Sequence, residues 1–149
     1  MKTCLVGCGG IAAVHGSVLT SGIDTEFVAA ADIKLEKAHS YAENFHTKPY
    51  PSLESMLEAE KPDVLHICTP HYLHVPMAIY SLERNINVFM EKPPAISFDQ
   101  LEELKKAAAK SDAQLGFCYK NRYNASIRAA KDLIDSGKSG KVLGARAFV

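Results

Sequence analysis

Thr3-Cys4-Leu5-Val6-Gly7-Cys8-Gly9-Gly10-Ile11-Ala12 decides how this chain folds. A short apolar run closed by glycines suits a buried strand. Ile11 to Leu19 then reads as a helix. The turn between them has the spacing G-x-G-x-x-A, a dinucleotide fingerprint with alanine in the last place. Gly7 allows the tight turn, and Gly9 lets the backbone approach a pyrophosphate. Gly10 and Ile11 open the helix, whose free N–H groups and dipole favour anionic phosphates. Ala12 is small enough for the helix to pack on the strand. Glycine-rich turns are common, so the pattern alone discriminates poorly.

Asp32 strengthens the reading. It stands 20 residues beyond Ala12, after the apolar run Glu26 to Ala31. A carboxylate there accepts hydrogen bonds from both adenosine ribose hydroxyls and repels a 2′-phosphate. The expectation is therefore NAD in preference to NADP. Two alternatives stand beside it. Aspartate is also a good helix N-cap, and a methyltransferase also places an acid after its second strand.

The rest of the chain alternates strand-like and helix-like segments. Leu35, Ala38, Ala42 and Phe45 recur at helical spacing. Ser52 is a candidate N-cap for a helix to Glu58 with Leu53, Met56 and Leu57 on one face. Asp63 to Cys68 reads as a strand, Leu73 to Glu83 as a helix, and Ile86 to Met90 as the next strand. Pro76 is tolerable only in the first turn of that helix. Ser97-x-x-Gln100 is a capping box opening a helix to Lys110 that buries Phe98, Leu101, Leu104 and Ala108. Gln114 to Cys118 is a further strand. This order implies an α/β fold: a Rossmann-type, doubly wound parallel sheet with helices on both faces.

The pattern changes after Cys118. Tyr119 to Asn124 is polar; Ile127, Ala130, Leu133 and Ile134 mark a helix ending at Gly137, and Val142 to Val149 reads as a strand. We expect a dinucleotide-binding domain over 1–120 and, over 121–149, the first helix and strand of an incomplete second α+β domain. The apolar side of that segment would lack its covering sheet, so self-association through it is expected.

Composition narrows the function. In 149 residues, 47% are hydrophobic, and 17 basic residues balance 17 acidic ones. Zero net charge with no block of like charge gives no reason to expect nucleic acid or a membrane surface as partner. Cys4, Cys8, Cys68 and Cys118 lie beside apolar runs without C-x-x-C spacing, as expected of buried reduced thiols in a cytoplasmic protein. Leu5-Val6-Gly7-Cys8 imitates a lipoprotein cleavage box. Only seven residues precede Cys8, too few for the apolar core of a signal peptide. No metal site is expected: Cys4 and Cys8 have no second pair, and His71 and His74 have no third ligand.

Two strand ends carry further chemistry. Cys68-Thr69-Pro70 ends one strand, with Thr69 and Pro70 placed to line the cofactor crevice and His74 at the start of the next helix. Ile86 to Met90 stops at Glu91-Lys92-Pro93-Pro94. In open α/β sheets, ligands bind at the carboxyl edge of the strands. Pro93 holds Lys92 extended, so the lysine is aimed. A solvated surface turn is the plain alternative for so short a motif.

Gly7-Cys8-Gly9-Gly10-Ile11-Ala12 with His15, Thr69-Pro70-x-x-x-His74 and Glu91-Lys92-Pro93 resemble the glucose–fructose oxidoreductase/inositol dehydrogenase/MocA (Gfo/Idh/MocA) family. Asn121-Arg122-Tyr123-Asn124, Ala130 to Gly137 and Gly140-Lys141-Val142 resemble that family's passage between its two domains. The resemblance spans essentially the whole chain and speaks against a methyltransferase. It implies hydride transfer between NAD(P) and a sugar, cyclitol or related carbinol. Lys92 would be the catalytic lysine, Glu91 would approach the nicotinamide ribose, and Arg122 would lie near the substrate. His74 would be structural or touch the cofactor, and Lys92–Pro93 would be cis. An amine serves as a base near neutral pH when burial or a neighbouring cation favours its neutral form. The resemblance also implies a longer, homo-oligomeric protein, with the remaining catalytic groups past Val149. The rival is a non-catalytic dinucleotide-binding module.

Overall fold

The computed structural model describes residues 1–21 and 24–146. The chain divides into two compact units, Met1–Cys118 and a second beginning at Tyr119.

The first unit alternates strand and helix: β1 (Lys2–Val6), α1 (Gly10–Leu19), β2 (Glu26–Ala31), α2 (Leu35–Phe45), β3 (Lys48–Tyr50), α3 (Leu53–Glu60), β4 (Val64–Ile67), α4 (His74–Leu82), β5 (Asn87–Met90), α5 (Phe98–Lys110) and β6 (Leu115–Phe117). Short 3₁₀ turns span His71–Leu73 and Lys120–Tyr123. The strands form one sheet in the order β3-β2-β1-β4-β5-β6, and every pairing is parallel. The order reverses beside β1, so β1 and β4 flank the switch point at which such sheets bind ligands.

Two clusters confirm the double winding. Cys4, Val6, Ala29, Ala31, Leu65 and Ile67 pack with Met56, Val75, Leu82 and Leu104 from α3, α4 and α5. The alternate residues Leu5 and Ala30 pack with Ala12 and Tyr41 from α1 and α2. The period-2 alternation of β1 and β2 thus divides the core between two faces.

Caps match the sequence closely. Ser52 Oγ accepts from Ser55 N at 3.1 Å, and Ser97 Oγ accepts from Gln100 N at 3.2 Å. The reciprocal half of the box is displaced by one residue, because Gln100 Oε1 accepts from Ile96 N. Three expectations need correction. Phe98, expected in the core, is 88% exposed; it sits in the first turn of α5, beyond the sheet face that Leu104 reaches. Leu35 is exposed as well, and Tyr41 takes its place inside α2. The sequence reading passed over β3, whose three residues include a proline, as an edge strand tolerates.

The second unit contains α6 (Ala125–Asp135). Asn124 Oδ1 caps it, accepting from Ser126 N at 2.9 Å. The strand expected over Val142 to Val149 is absent from 142–146, and 147–149 lie outside the described residues. A strand needs a hydrogen-bonding neighbour to persist, while Val142 and Leu143 are both exposed.

A buried acid ties the ends of three elements. Glu60, at the end of α3, is 5% exposed. Its carboxylate accepts from Tyr50 Oη at 2.6 Å and Lys48 Nζ at 2.9 Å, and pairs with Lys2 Nζ at 3.0 Å. The bonds from Tyr50 and Lys48 lead in holding this carboxyl at about 2, below its ordinary 4.5. A carboxyl depressed on folding stabilises above its unfolded pKa, and that stability is lost as pH falls through the folded value. Glu60→Gln is therefore expected to flatten the pH dependence of Tm between pH 4.5 and 2, removing about 3 kcal/mol at neutral pH, as urea unfolding would measure.

Candidate cofactor site

Gly7 closes β1 with a φ of +91°. A Cβ there would lie 2.8 Å from the backbone C and O of Cys68 and from Thr69 N. Glycine is required twice over, by the left-handed conformation and by the approach of β4's carboxyl end. Gly7 N donates to Ala31 O at 2.8 Å, and Cys68 N donates to Val6 O at 2.8 Å, stitching the turn to both neighbouring strands. Gly9 and Gly10 differ: a Cβ on either would meet nothing within 4 Å. Their openness faces a cleft, whereas the tightness at Gly7 is internal.

That cleft holds about 570 Å³ and is lined by Gly7, Gly9, Gly10, Ile11, Asp32, Thr69 and Pro70, among others. Lys34 and Lys37 line it near Asp32, and Tyr72, Leu73 and Met77 supply an apolar wall. Asp32 Oδ2 accepts from Cys8 N at 2.9 Å, and Oδ1 accepts from Lys34 N at 2.8 Å. Each oxygen keeps acceptor capacity for a further donor. Asp32 is not the N-cap of α2, which is Lys34. Thr69 Oγ1 is buried without a hydrogen-bond partner. An orphaned hydroxyl, open space at two glycines and a carboxylate with spare acceptors suit a ligand carrying ribose hydroxyls and phosphates. Burial, then the Asp32 charge, pushes the Cys8 thiol up to about 12, so it is a packing group and no nucleophile.

Ala12, His74 and Glu91 lie inside the protein, away from the cleft lining. Ala12 is fully buried, and its carbonyl accepts from Tyr41 Oη at 2.7 Å. His74 is fully buried with Nε2 2.9 Å from Thr69 O and Nδ1 2.8 Å from Pro93 O. Its ring therefore has no free nitrogen for a ligand. Glu91 Oε1 is 3.1 Å from His15 Nε2, and Oε2 accepts from its neighbour Lys92 N at 3.2 Å. Burial raises the Glu91 carboxyl, but bonds from His15, Cys118 and Lys92 N outweigh it, and the group ends below its ordinary range. Lys92 is exposed, and the Lys92–Pro93 bond is cis. Arg122 belongs to the second unit and is exposed.

The sequence reading missed His66, Cys118 and Gly16. His66 Nδ1 lies 3.0 Å from His15 Nδ1. Burial, then His15, lowers its pKa to about 4, so its ring is neutral near pH 7. The signal was available: His66 is the polar residue between Leu65 and Ile67 on a buried strand. Cys118 brings its sulfur within 4.8 Å of the His15 and Glu91 ligating atoms. A Cβ on Gly16 would lie 2.5 Å from Tyr41 Oη, so Gly16 lets α2 close on α1. No pattern in the sequence marks that contact.

Residues 1–119 match the Gfo/Idh/MocA family model, an oxidoreductase family with an NAD-binding Rossmann fold. The chain belongs to that family, and its first unit is an NAD-binding Rossmann domain. It is 28% identical over 144 residues to D-glucoside 3-dehydrogenase of Escherichia coli, covering 95% of this chain and 41% of the relative. It is 28% identical to inositol 2-dehydrogenase/D-chiro-inositol 3-dehydrogenase of Lacticaseibacillus casei, covering 99% of this chain and 44% of that protein. Among solved structures it resembles the WlbA dehydrogenase from Bordetella pertussis, in complex with NADH and UDP-GlcNAcA, with a TM-score of 0.90 at 29% identity, covering 94% of this chain and 43% of that one. Myo-inositol dehydrogenase from Lactobacillus casei, in complex with NAD(H) and myo-inositol, gives 0.86 at 26% identity, covering 92% and 42%. The chain thus spans about two-fifths of the length of these relatives.

The two kinds of glycine predict different phenotypes. Gly7→Ala should lower stability by about 3 kcal/mol or more, through positive φ and backbone clash. Gly9→Ala should leave Tm unchanged and weaken NADH binding about tenfold, or ~1.4 kcal/mol. Thermal melts paired with NADH fluorescence titrations separate the two.

Proposed function

We propose that this chain is the cofactor-binding part of an oxidoreductase that transfers a hydride between NAD and a sugar, cyclitol or related carbinol. The observation that carries this is the single cleft joining the glycine turn, Asp32 and Thr69-Pro70, with Lys92 at the end of the neighbouring strand β5. When bound, NAD accepts or donates the hydride. Gly7, Gly9, Gly10 and Ile11 cradle its pyrophosphate at the start of α1, and Ala12 lets that helix seat on the sheet. Asp32 accepts from the adenosine ribose hydroxyls, which disfavours NADP. Thr69 donates its spare hydroxyl, and Pro70 shapes the wall beside it. Lys92 holds the reacting hydroxyl and takes its proton. Glu91 and His74 act from within the protein, and Arg122 serves the substrate side. The unit from Tyr119 is the beginning of a substrate domain, and the site of action is the cytoplasm, where four free cysteines stay reduced. The sugar-like substrate is supported by what the relatives' names say they act on.

The tests separate binding from chemistry. Asp32→Ala should cost ~1.5–3 kcal/mol of NADH affinity and narrow the preference over NADPH. Unchanged affinity in a fluorescence titration would remove the ribose role. Lys92→Ala should leave NADH affinity within about twofold and lower kcat of the longer protein by about 10² or more. Full turnover without the lysine would remove its catalytic role, and no turnover by the unaltered longer protein would favour the non-catalytic module.

We also propose that the second unit mediates homo-oligomer formation. Ile127, Leu133 and Ile134 of α6 are each about half exposed, an apolar face of the kind that pairs with a copy of itself. Light scattering should show mass rising with concentration, and Ile127→Glu with Leu133→Glu should abolish the rise. A monomeric mass at all concentrations counts against the pairing.

A further inference from the structure

Two buried histidines grip the segment Glu91-Lys92-Pro93 from either side of the lysine. His15 is 6% exposed and His74 is fully buried. His15, on α1, bonds Glu91 through Nε2 and His66 of β4 through Nδ1. A carboxylate only accepts, so His15 Nε2 is the donor. The same carboxylate holds the Lys92 amide through its other oxygen. His74, on α4, faces Pro93 O through Nδ1 and Thr69 O through Nε2. Residues 91 and 93 are therefore each fixed by a buried ring, while the Lys92 side chain between them is exposed. Among the described residues the Lys92 amine has no hydrogen bond or ion pair of its own.

We propose that His15 and His74 are positioning residues that together aim Lys92, clamping the residue on each side of it to the elements that form the cofactor cleft. This rests on the reading of Lys92 as the reacting group. The linkage has a direction. His15 belongs to the helix whose N-terminus opens on the cleft, and His74 ties Pro93 to Thr69, which lines the cleft. Where the cofactor seats against α1 and Thr69, the same two contacts fix where the lysine stands. An exposed lysine has four rotatable bonds, and ordering its backbone removes much of the freedom that a free turn would keep. The clamp also sets a requirement on His74 itself. Both of its partners are carbonyl oxygens, which only accept. The arm on Pro93 therefore needs the ring N–H at Nδ1, the nitrogen 2.8 Å from Pro93 O.

Nitrogen-15 NMR of this chain tests each part. Long-range imidazole spectra of the wild-type chain should show His74 with its N–H at Nδ1, facing Pro93 O. A ring protonated at Nε2 alone overturns the His74 arm. Amide hydrogen exchange supplies the second readout. His15→Leu and His74→Phe should each speed exchange of the Lys92 amide at least about tenfold relative to the Val88 and Leu65 amides of the sheet. His15→Gln and His74→Gln, which restore one donor, should recover part of that protection. Equal exchange in all variants overturns the clamp. Should the leucine or phenylalanine variant fail to fold, the glutamine variants and the wild-type imidazole spectrum still decide. Lys92→Ala, measured the same way, keeps the two readings apart. If the clamp protects residue 92 while the longer protein turns over without the lysine, the positioning contacts stand and the catalytic role of Lys92 falls. If protection ignores both histidines, the clamp falls whatever Lys92 does.

Discussion

The close approach of two backbones at Gly7 is the constraint on which the site depends. β1 ends where a side chain would collide with the peptide joining Cys68 and Thr69. Because no Cβ intervenes, the carboxyl ends of β1 and β4 lie side by side at the switch point of the sheet. The turn after β1 can then open into α1 with its N–H groups facing the cleft, and Thr69 can face the same space from the other strand. Asp32 completes the arrangement by accepting from Cys8 N, which holds the glycine turn against the end of β2. Three strand ends are thus joined by backbone contacts before any ligand is considered.

Around that point the protein keeps its polar groups in three separate sets. Glu60 with Lys2, Lys48 and Tyr50 ties together three elements outside the cleft. Asp32 and the orphaned Thr69 hydroxyl face the cleft with capacity to spare. His66, His15, Glu91 and His74 bond to one another or to backbone. Burying so many polar groups is costly unless each is paired; of the three buried hydroxyls without a partner, Thr3, Thr47 and Thr69, the last lines the cleft. The asymmetry separates what serves the fold from what awaits a partner.

Family membership and the cleft agree on the cofactor, and the geometry adds how the load is shared. The glycine turn, Asp32 and Thr69-Pro70 line the cleft beside an apolar wall of Tyr72, Leu73 and Met77. Groups that fix the lysine's segment are buried rings on other elements. Residues that look like contacts in a motif can therefore lie inside the protein, as His74 and Glu91 do.

Much of this was legible in the chain. The alternation of strands and helices, the Ser52 and Ser97 caps, the glycine turn, Asp32 and the lysine after β5 all follow from local chemistry. Turn geometry, capping and hydrophobic period act over a few residues, so sequence neighbours suffice to reveal them. Phe98 and β3 were misread because burial and pairing depend on which surface an element meets. Gly16 against Tyr41, His66 against His15, and His74 between two carbonyls join residues from separate helices and strands. Sequence alone determined most of the elements of the first unit and where the glycine turn lies. Only the tertiary structure decided which polar side chains face the cleft and which are spent inside, because that depends on distances between strand ends that no local pattern carries.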